Sequence, residues 1–260
     1  MPIVADTHVH IYPEYDAGRF LVDTVARLQA LAPAAMPVIC LTERAGQHVY
    51  ADWATAGKVP ETDFAVQAIE SRGGIVLRIE TEAGPLHILP GRQIVTAERL
   101  EVLVLGRDLE LADNTPAADL IRAILAAGSI PVLTWAFGKW WFGRSHTVRA
   151  LVEHFAPERL WLGDTTMRPR EWPRGRIMRQ AIKAGARVLA GSDPLPGQNE
   201  ARYAGRYATL LNRELDPKDP AGAIMRGFRV LPPGGRTIGH RCTLPAILLR
   251  MIRQKGCPDR

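Results

Sequence analysis

The sequence of 260 residues contains little cysteine and no long apolar segment. Its three cysteines are far apart, so they provide neither a disulfide framework nor a Cys-x-x-Cys metal motif. The longest apolar stretch, residues 31–41, is interrupted by two prolines and is too short to cross a bilayer. Residues 1–10 lack the charged and apolar segments of a targeting peptide. We therefore expect a reduced, cytoplasmic protein with no membrane partner.

Acidic residues do not outnumber basic ones either. The chain has 33 Lys and Arg against 27 Asp and Glu, which gives a formal net charge of +6 at pH 7. The basic residues are mostly arginine and are spread along the chain instead of forming one tract. This distribution favours a small anionic substrate as the partner, with nucleic acid as the less favoured alternative.

The order of apolar segments predicts an α/β fold. Short β-branched runs alternate with amphipathic stretches, as in strands joined by helices in a parallel sheet. The predicted strands are 3–6, 38–42, 86–89 with 93–96, 100–105, 130–134, 160–163 and 187–190. The predicted helices are 20–31, 117–127, 147–155, 175–184, 200–211 and 244–253. This pattern predicts a single domain over residues 1–260, a distorted (β/α)7-type barrel that is TIM-barrel-like. An open doubly wound sheet is the alternative, although no glycine-rich phosphate-binding motif follows a strand.

In such a barrel the functional residues follow the carboxyl ends of the strands. The first predicted strand leads into DTHVH at 6–10, where alternation along an extended chain places His8 and His10 on the same side. Two imidazoles placed in this way can bind one metal ion. Asp193, in the turn GSDP at 191–194, can complete the site with a carboxylate, or it can cap a turn.

Both motifs are shared by the amidohydrolases and by the polymerase and histidinol phosphatase (PHP) family, and the middle of the chain resembles the PHP family. The sequence LPGRQIVT at 89–96, followed by LEVLVLG at 100–106, resembles a PHP hairpin. Three other segments stand at PHP motifs: LTER at 41–44, PVLTWA at 131–136 and GSDPL at 191–195. The resemblance covers most of residues 1–195. It implies a distorted seven-stranded barrel that holds up to three metal ions and usually hydrolyses phosphoesters.

The sequence also departs from the PHP pattern at several ligand positions. Gln93 replaces a bridging glutamate, and Trp135 and Leu195 each replace a histidine, while Glu43-Arg44 replaces Asp-His. A neutral amide cannot bridge two cations as a carboxylate does, and an indole offers no lone pair to a metal. We therefore expect one divalent ion, with zinc, manganese and iron left open. Its ligands would be His8, His10 and Asp193, with the Gln93 carbonyl as a further ligand.

Other polar groups near strand ends are candidates for catalysis or substrate binding. Glu43 can act as a general acid or base, and Arg44 as an anion clamp, unless the two only form local ion pairs. The substrate-binding candidates are Arg92, Trp135, Asp164 and Arg168. Asp164 can instead cap a turn. The aromatic segment 135–144 can be a lid, a stacking platform for a sugar or base, or a plug in the barrel mouth or a subunit interface.

The favoured function is a metal-dependent hydrolase of the PHP phosphoesterase type with a reduced, mononuclear site. One alternative is an inactive barrel that binds RNA or a partner protein. Another is an amidohydrolase-like C–N hydrolase, but that family needs histidines where this chain has Trp135 and Asp164. The substrate and the oligomeric state are left open.

Overall fold

A single mixed sheet of eleven strands organises the part of the chain that the computed structural model describes, residues 1–141, 143–157 and 159–255. The strands are β1 Ile3–Val9, β2 Met36–Glu43, β3 Val66–Ser71, β4 Gly74–Thr81, β5 Gly84–Val95, β6 Glu101–Leu105, β7 Ile130–Thr134, β8 Trp161–Thr165, β9 Val188–Gly191, β10 Tyr207–Leu211 and β11 Thr237–Gly239. The helices are α1 Ala17–Leu31, α2 Val49–Ala56, α3 Ala117–Ala126, α4 Arg144–Phe155, α5 Arg176–Lys183, α6 Pro220–Arg229 and α7 Leu244–Lys255.

Seven of these strands form the wall of a nearly closed barrel, in the order β1-β2-β5-β6-β7-β8-β9. β1, β2 and β5 are parallel, as are β7, β8 and β9, whereas β6 is antiparallel to both of its neighbours. β10 and β11 extend the sheet beyond β1, and the β3–β4 hairpin pairs with β5. The seven predicted strands correspond to these wall strands, and the predicted α/β barrel is confirmed.

The barrel closes where β9 lies against β1 without a regular ladder. Thr7 Oγ1 donates to the Ala190 carbonyl at 3.0 Å, and the Asp193 amide donates to the His8 carbonyl at 2.8 Å. Gly191 makes this close approach possible, because a Cβ at that position would lie 2.4 Å from His8 Cβ. The closure therefore places the turn after β9 directly beside the histidines of β1.

The barrel strands are buried on both faces. Ile3, Val38 and Leu103 belong to the core inside the barrel, which also packs against α6. Outside the wall, α1 and α2 cover one core and α3, α4 and α5 cover another. Strands buried on both sides are near-continuous apolar runs, which explains why the sequence revealed them.

The predicted helix 200–211 is wrong. The chain forms a 3-10 helix over Gln198–Tyr203 and then the strand β10, which pairs antiparallel with β1. Gly205, with φ +75°, separates the two elements, and a Cβ there would lie 2.9 Å from the Thr24 carbonyl oxygen. The break predicted within the third strand is also absent, because β5 continues through Pro90 and Gly91.

Several elements of the structure were not predicted, and the structure shows the environment of two cysteines. The sequence did not reveal α2, the β3–β4 hairpin, β11 or α6. Cys40 and Cys242 are free and buried, and Cys257 lies outside the described residues. No helix in the described part of the chain has both the length and the apolar character needed to cross a bilayer.

Candidate metal centre

A bulge in β1 directs both histidines into the barrel. Asp6 pairs with Ile39 and Val9 pairs with Leu41, so β1 has one more residue than β2 between these pairs. Ahead of the bulge Ala5 faces the inner core, and after it Val9 faces the outer core. His8 and His10, on either side of Val9, therefore both face inward, which an uninterrupted strand beginning at Ile3 would not achieve.

Four polar side chains converge at this point. His8 Nε2 lies 3.1 Å from His10 Nε2 and 2.7 Å from Gln93 Oε1. Asp193 Oδ1 lies 3.7 Å from His8 Nε2 and 3.8 Å from His10 Nε2. Both histidines are buried, at 1% and 2% exposure. Among the described residues, His8, His10 and Asp193 are also the one group of three with metal-binding side chains in suitable positions.

Burial and local charge set the protonation of this cluster. Burial, the neighbouring His8 and the guanidinium of Arg44 hold the pKa of His10 well below its usual range. Burial raises the pKa of Asp193, and Glu101 adds to this effect. A neutral imidazole has a free lone pair for a metal, and a buried carboxylate is stabilised in its charged form by a cation beside it.

The backbone of Asp193 is held in an unusual conformation. Its φ of +51° lies in the left-handed region, which is uncommon for residues other than glycine. Next to it, Ser192 donates from its amide and its hydroxyl to the carboxylate of Asp6, at 2.8 and 2.5 Å. Asp6 is fully buried and also accepts from the Gly205 amide at 2.8 Å, and burial raises its pKa to about 6. Asp6 therefore fixes the turn that presents Asp193, a role that sequence reasoning missed.

Arg44 and three further residues lie around the cluster, and the sequence singled out only Arg44. Arg44 is exposed and close enough to His10 and Tyr12 to affect both of their pKa values. Lys139 Nζ lies 2.6 Å from Glu101 Oε1, and both groups act on the pKa of Asp193. Tyr12 continues the alternation of His8 and His10, which was the available signal for it. Glu101 begins β6, which runs antiparallel, so the rule of carboxyl strand ends could not find it.

Glu43 and Arg92 are paired in register between β2 and β5, but they are not directed to the histidines. Glu43 alternates with Leu41 of the outer core, and its Oε1 accepts from the Tyr50 amide at 3.1 Å. Arg92 bonds to Asp108 and to the Gln47 carbonyl. Burial raises the pKa of Glu43 to about 7. The structure thus places these two predicted site residues on the outer face of the barrel wall.

Asp164 and Arg168 pair with each other instead of with His8, His10 or Asp193. Arg168 donates from Nε and Nη2 to the two carboxylate oxygens of Asp164, at 2.7 and 2.5 Å. The Tyr207 hydroxyl donates to the same carboxylate at 3.1 Å, and both members of the pair are buried. Trp135 is likewise buried, at 4% exposure, within the outer core beneath α4.

Known proteins resemble this chain in fold. No family model matches the chain, and no curated protein matches it. Its fold is similar to that of PsfC from Pseudomonas syringae PB-5123, with 14% identity, a TM-score of 0.56, and coverage of 98% of this chain and 99% of PsfC. It is also similar to the lesion-specific endonuclease PfuEndoQ from Pyrococcus furiosus, with 12% identity and a TM-score of 0.52. That match covers 88% of this chain and 56% of PfuEndoQ, so the chain spans about half the length of that protein. The likeness shows the fold.

The aromatic segment after β7 lies at the same end of the barrel as the histidines. Trp140 is buried at 5% exposure and donates from Nε1 to the Thr134 carbonyl at 3.0 Å. Phe137 and Trp141 are half-buried and contact the ring of Trp172, from the loop after β8. Phe142 lies outside the described residues. The buried rings anchor the segment, and the half-buried rings form its outer part.

Proposed function

We propose that this protein is a metal-dependent hydrolase of the PHP type, built as a single barrel domain. Its site would be reduced to one divalent ion and would act on a phosphoester or another anionic substrate. The observation that carries this proposal is the convergence of His8 Nε2 and His10 Nε2 at 3.1 Å, with Asp193 Oδ1 within 3.8 Å of both.

The donor set fits a transition-metal ion. Two ligand bonds of about 2.1 Å to a common ion leave their donor atoms some 3 to 4 Å apart, as they are here. Two imidazoles and one carboxylate suit zinc, manganese or iron, and leave room for a water. When an ion is bound, the ring proton of each imidazole would lie on Nδ1, which leaves the lone pair of Nε2 for the ion. When bound, such an ion would lower the pKa of its water and supply a nucleophile for hydrolysis.

Gln93 supports a single ion over a cluster. Its Oε1 is placed to ligate the same ion as His8, since the two atoms are 2.7 Å apart. A neutral amide oxygen does not offset the charge of a second cation, which the carboxylate of a bridging glutamate would do. The loss of ligand histidines at Trp135 and Leu195 points the same way.

Two cations on the same rim as the cluster fit an anionic substrate. Arg44 follows the carboxyl end of β2, which neighbours β1 in the wall, and Lys139 Nζ lies 2.6 Å from Glu101 Oε1 at the start of β6. The guanidinium of Arg44 can hold two oxygens of a phosphate at once. Glu43 has no part in this proposed mechanism, because it belongs to the outer face of the wall.

Elemental analysis tests the metal site. Protein purified without chelator should contain about one equivalent of zinc, manganese or iron per chain. The variant His8→Ala/His10→Ala should lose this metal together with hydrolysis of p-nitrophenyl phosphate and bis(p-nitrophenyl) phosphate. His146→Ala/His154→Ala is the matched control, since both of those histidines are exposed on α4, and it should keep both properties.

Metal-free protein without hydrolytic activity would overturn this function. The predicted alternative, an inactive barrel that binds RNA or a partner, would then take its place. An RNA-binding barrel would lose affinity steeply as salt rises, because phosphate contacts release counterions. Hydrolysis of amides in place of phosphoesters would favour the C–N hydrolase alternative.

A further inference from the structure

Three aromatic rings form a surface that metal chemistry does not require. We name Phe137, Trp141 and Trp172 the aromatic shelf. The ring centroids of Phe137 and Trp172 are 5.6 Å apart with an interplanar angle of 27°. Trp141 lies 5.2 Å from Phe137 and 5.5 Å from Trp172. All three rings are half-buried, so each still presents surface to solvent.

The topology puts the shelf on the rim of the barrel that also carries the candidate metal site. Phe137 and Trp141 follow the carboxyl end of β7, and Trp172 follows that of β8. His8, His10 and Asp193 stand at the carboxyl ends of β1 and β9, and β9 neighbours β8 in the wall. Because parallel strands bring these ends to one side, the shelf borders the same opening.

Rigid anchors hold the shelf in place. Trp135 and Trp140, at 4% and 5% exposure, fix the segment to the outer core on either side of Phe137. The ring of Trp135 contacts Phe137 edge-on at 6.5 Å and Trp141 at 6.4 Å. A preformed aromatic surface loses little conformational entropy when a flat ligand stacks on it.

A cation lies on the rim beside the shelf. Lys139 is in the same segment, between Phe137 and Trp141, and its Nζ lies 2.6 Å from Glu101 Oε1. Glu101 begins β6 and alternates with Leu103 of the inner core, so it faces the inside of the barrel and holds the ammonium at the opening. A ligand with a flat ring at one end and an anionic group at the other could stack its ring on the shelf and place its anionic group at Lys139.

We infer that the aromatic shelf binds the planar ring of a nucleotide-like substrate whose phosphate group lies at Lys139. The idea that this phosphate reaches the metal site rests on the proposed function, whereas the stacking of the ring does not. Stacking on an aromatic side chain strengthens binding of a base by about tenfold. It tolerates different bases, since each has a π face.

Calorimetric titration in the presence of EDTA tests the shelf apart from the metal. The probes are adenosine 5′-monophosphate, ribose 5-phosphate and adenosine, titrated into the full chain. We expect the nucleotide to bind about tenfold more tightly than ribose 5-phosphate. Trp172→Leu should remove this difference, and Trp172→Phe, which keeps an aromatic face, should retain it. Lys139→Met should weaken both phosphates by a similar factor and leave adenosine unchanged.

Equal affinity for the nucleotide and ribose 5-phosphate would overturn the inference, as would no binding of either probe. A Trp172→Leu variant that keeps the difference would also overturn it. Ring selectivity in a protein that contains no metal after chelator-free purification would refute the proposed function and leave the shelf intact. Metal binding and hydrolysis without ring selectivity would refute the role of the shelf and leave the proposed function intact.

Discussion

The guanidinium of Arg250 donates to the backbone carbonyl of Asp193, with Nη2 and the oxygen 2.9 Å apart. Arg250 is 1% exposed, and its Nε also donates to Glu200 Oε2 at 2.8 Å. Its guanidinium lies 3.9 Å from the ring centroid of Tyr203. The last helix, α7, thus reaches across to fix the turn that carries Asp193. Arg250 acts there as a positioning residue.

Replacing Arg250 should reduce both stability and metal affinity. We expect Arg250→Met to lower the free energy of unfolding by about 3–5 kcal/mol, because the charge of Glu200 stays buried without its partner. Denaturant unfolding measures this loss. The double variant Arg250→Met/Glu200→Gln should recover part of the stability but still bind metal more weakly, since the Asp193 carbonyl has lost its donor. Wild-type metal affinity in the double variant would contradict the positioning role.

Gly191 should tolerate no side chain. In Gly191→Ala the new Cβ would lie 2.4 Å from His8 Cβ and 2.6 Å from the His8 amide nitrogen, so β9 and β1 must separate. We expect a loss of about 1–3 kcal/mol of stability and a larger fractional loss of metal binding. Thermal unfolding and metal titration measure the two effects. Gly143→Ala is the matched control, because nothing lies within 4 Å of a Cβ at that position.

A carboxylate at position 93 should strengthen the metal site. Gln93→Glu keeps the oxygen that lies 2.7 Å from His8 Nε2 and adds a negative charge. Charge-assisted ligation is stronger than ligation by a neutral amide, so we expect metal affinity to rise at least about tenfold. Competition with a metal indicator dye measures the affinity, and elemental analysis shows whether a second ion enters. Unchanged affinity would mean that residue 93 does not contact the ion.

Glu43 should make stability fall as pH rises. Burial raises its pKa from 4.5 to about 7, so the folded protein keeps this proton over a range in which the unfolded chain has lost it. Titration of this carboxyl group therefore does not lower the free energy of unfolding below pH 4.5. Its destabilising effect grows above that pH until the pH passes about 7. Glu43→Gln removes this effect, so the stability of the variant relative to the wild type should increase between these pH values.

Urea unfolding at several pH values checks this sign. Glu82→Gln, at an exposed position, is the control and should show no such trend. A difference in stability between Glu43→Gln and wild type that stays constant with pH would contradict the raised pKa of Glu43.

Much of the barrel and the members of the candidate metal site could be predicted from the sequence. The wall strands are apolar on both faces, so they appear in the sequence as compact β-branched runs. His8 and His10 are neighbours along one strand, and their spacing alone indicates that the two side chains can bind one metal ion. The strand β10 was mistaken for a helix because Gly205 and the pairing with β1 decide its conformation, and neither effect is visible in local periodicity.

The sequence by itself determined the α/β barrel, the histidine pair and the carboxylate of Asp193 as candidate ligands. Only the tertiary structure decided which strand-end groups meet. The bulge in β1 turns the histidines inward, whereas alternation along β2 and β5 turns Glu43 and Arg92 outward. Arg250 and Trp172, which joins the predicted aromatic segment, come from other parts of the chain. Their roles depend on distances across the fold, and local sequence encodes the direction of a side chain only within its own element.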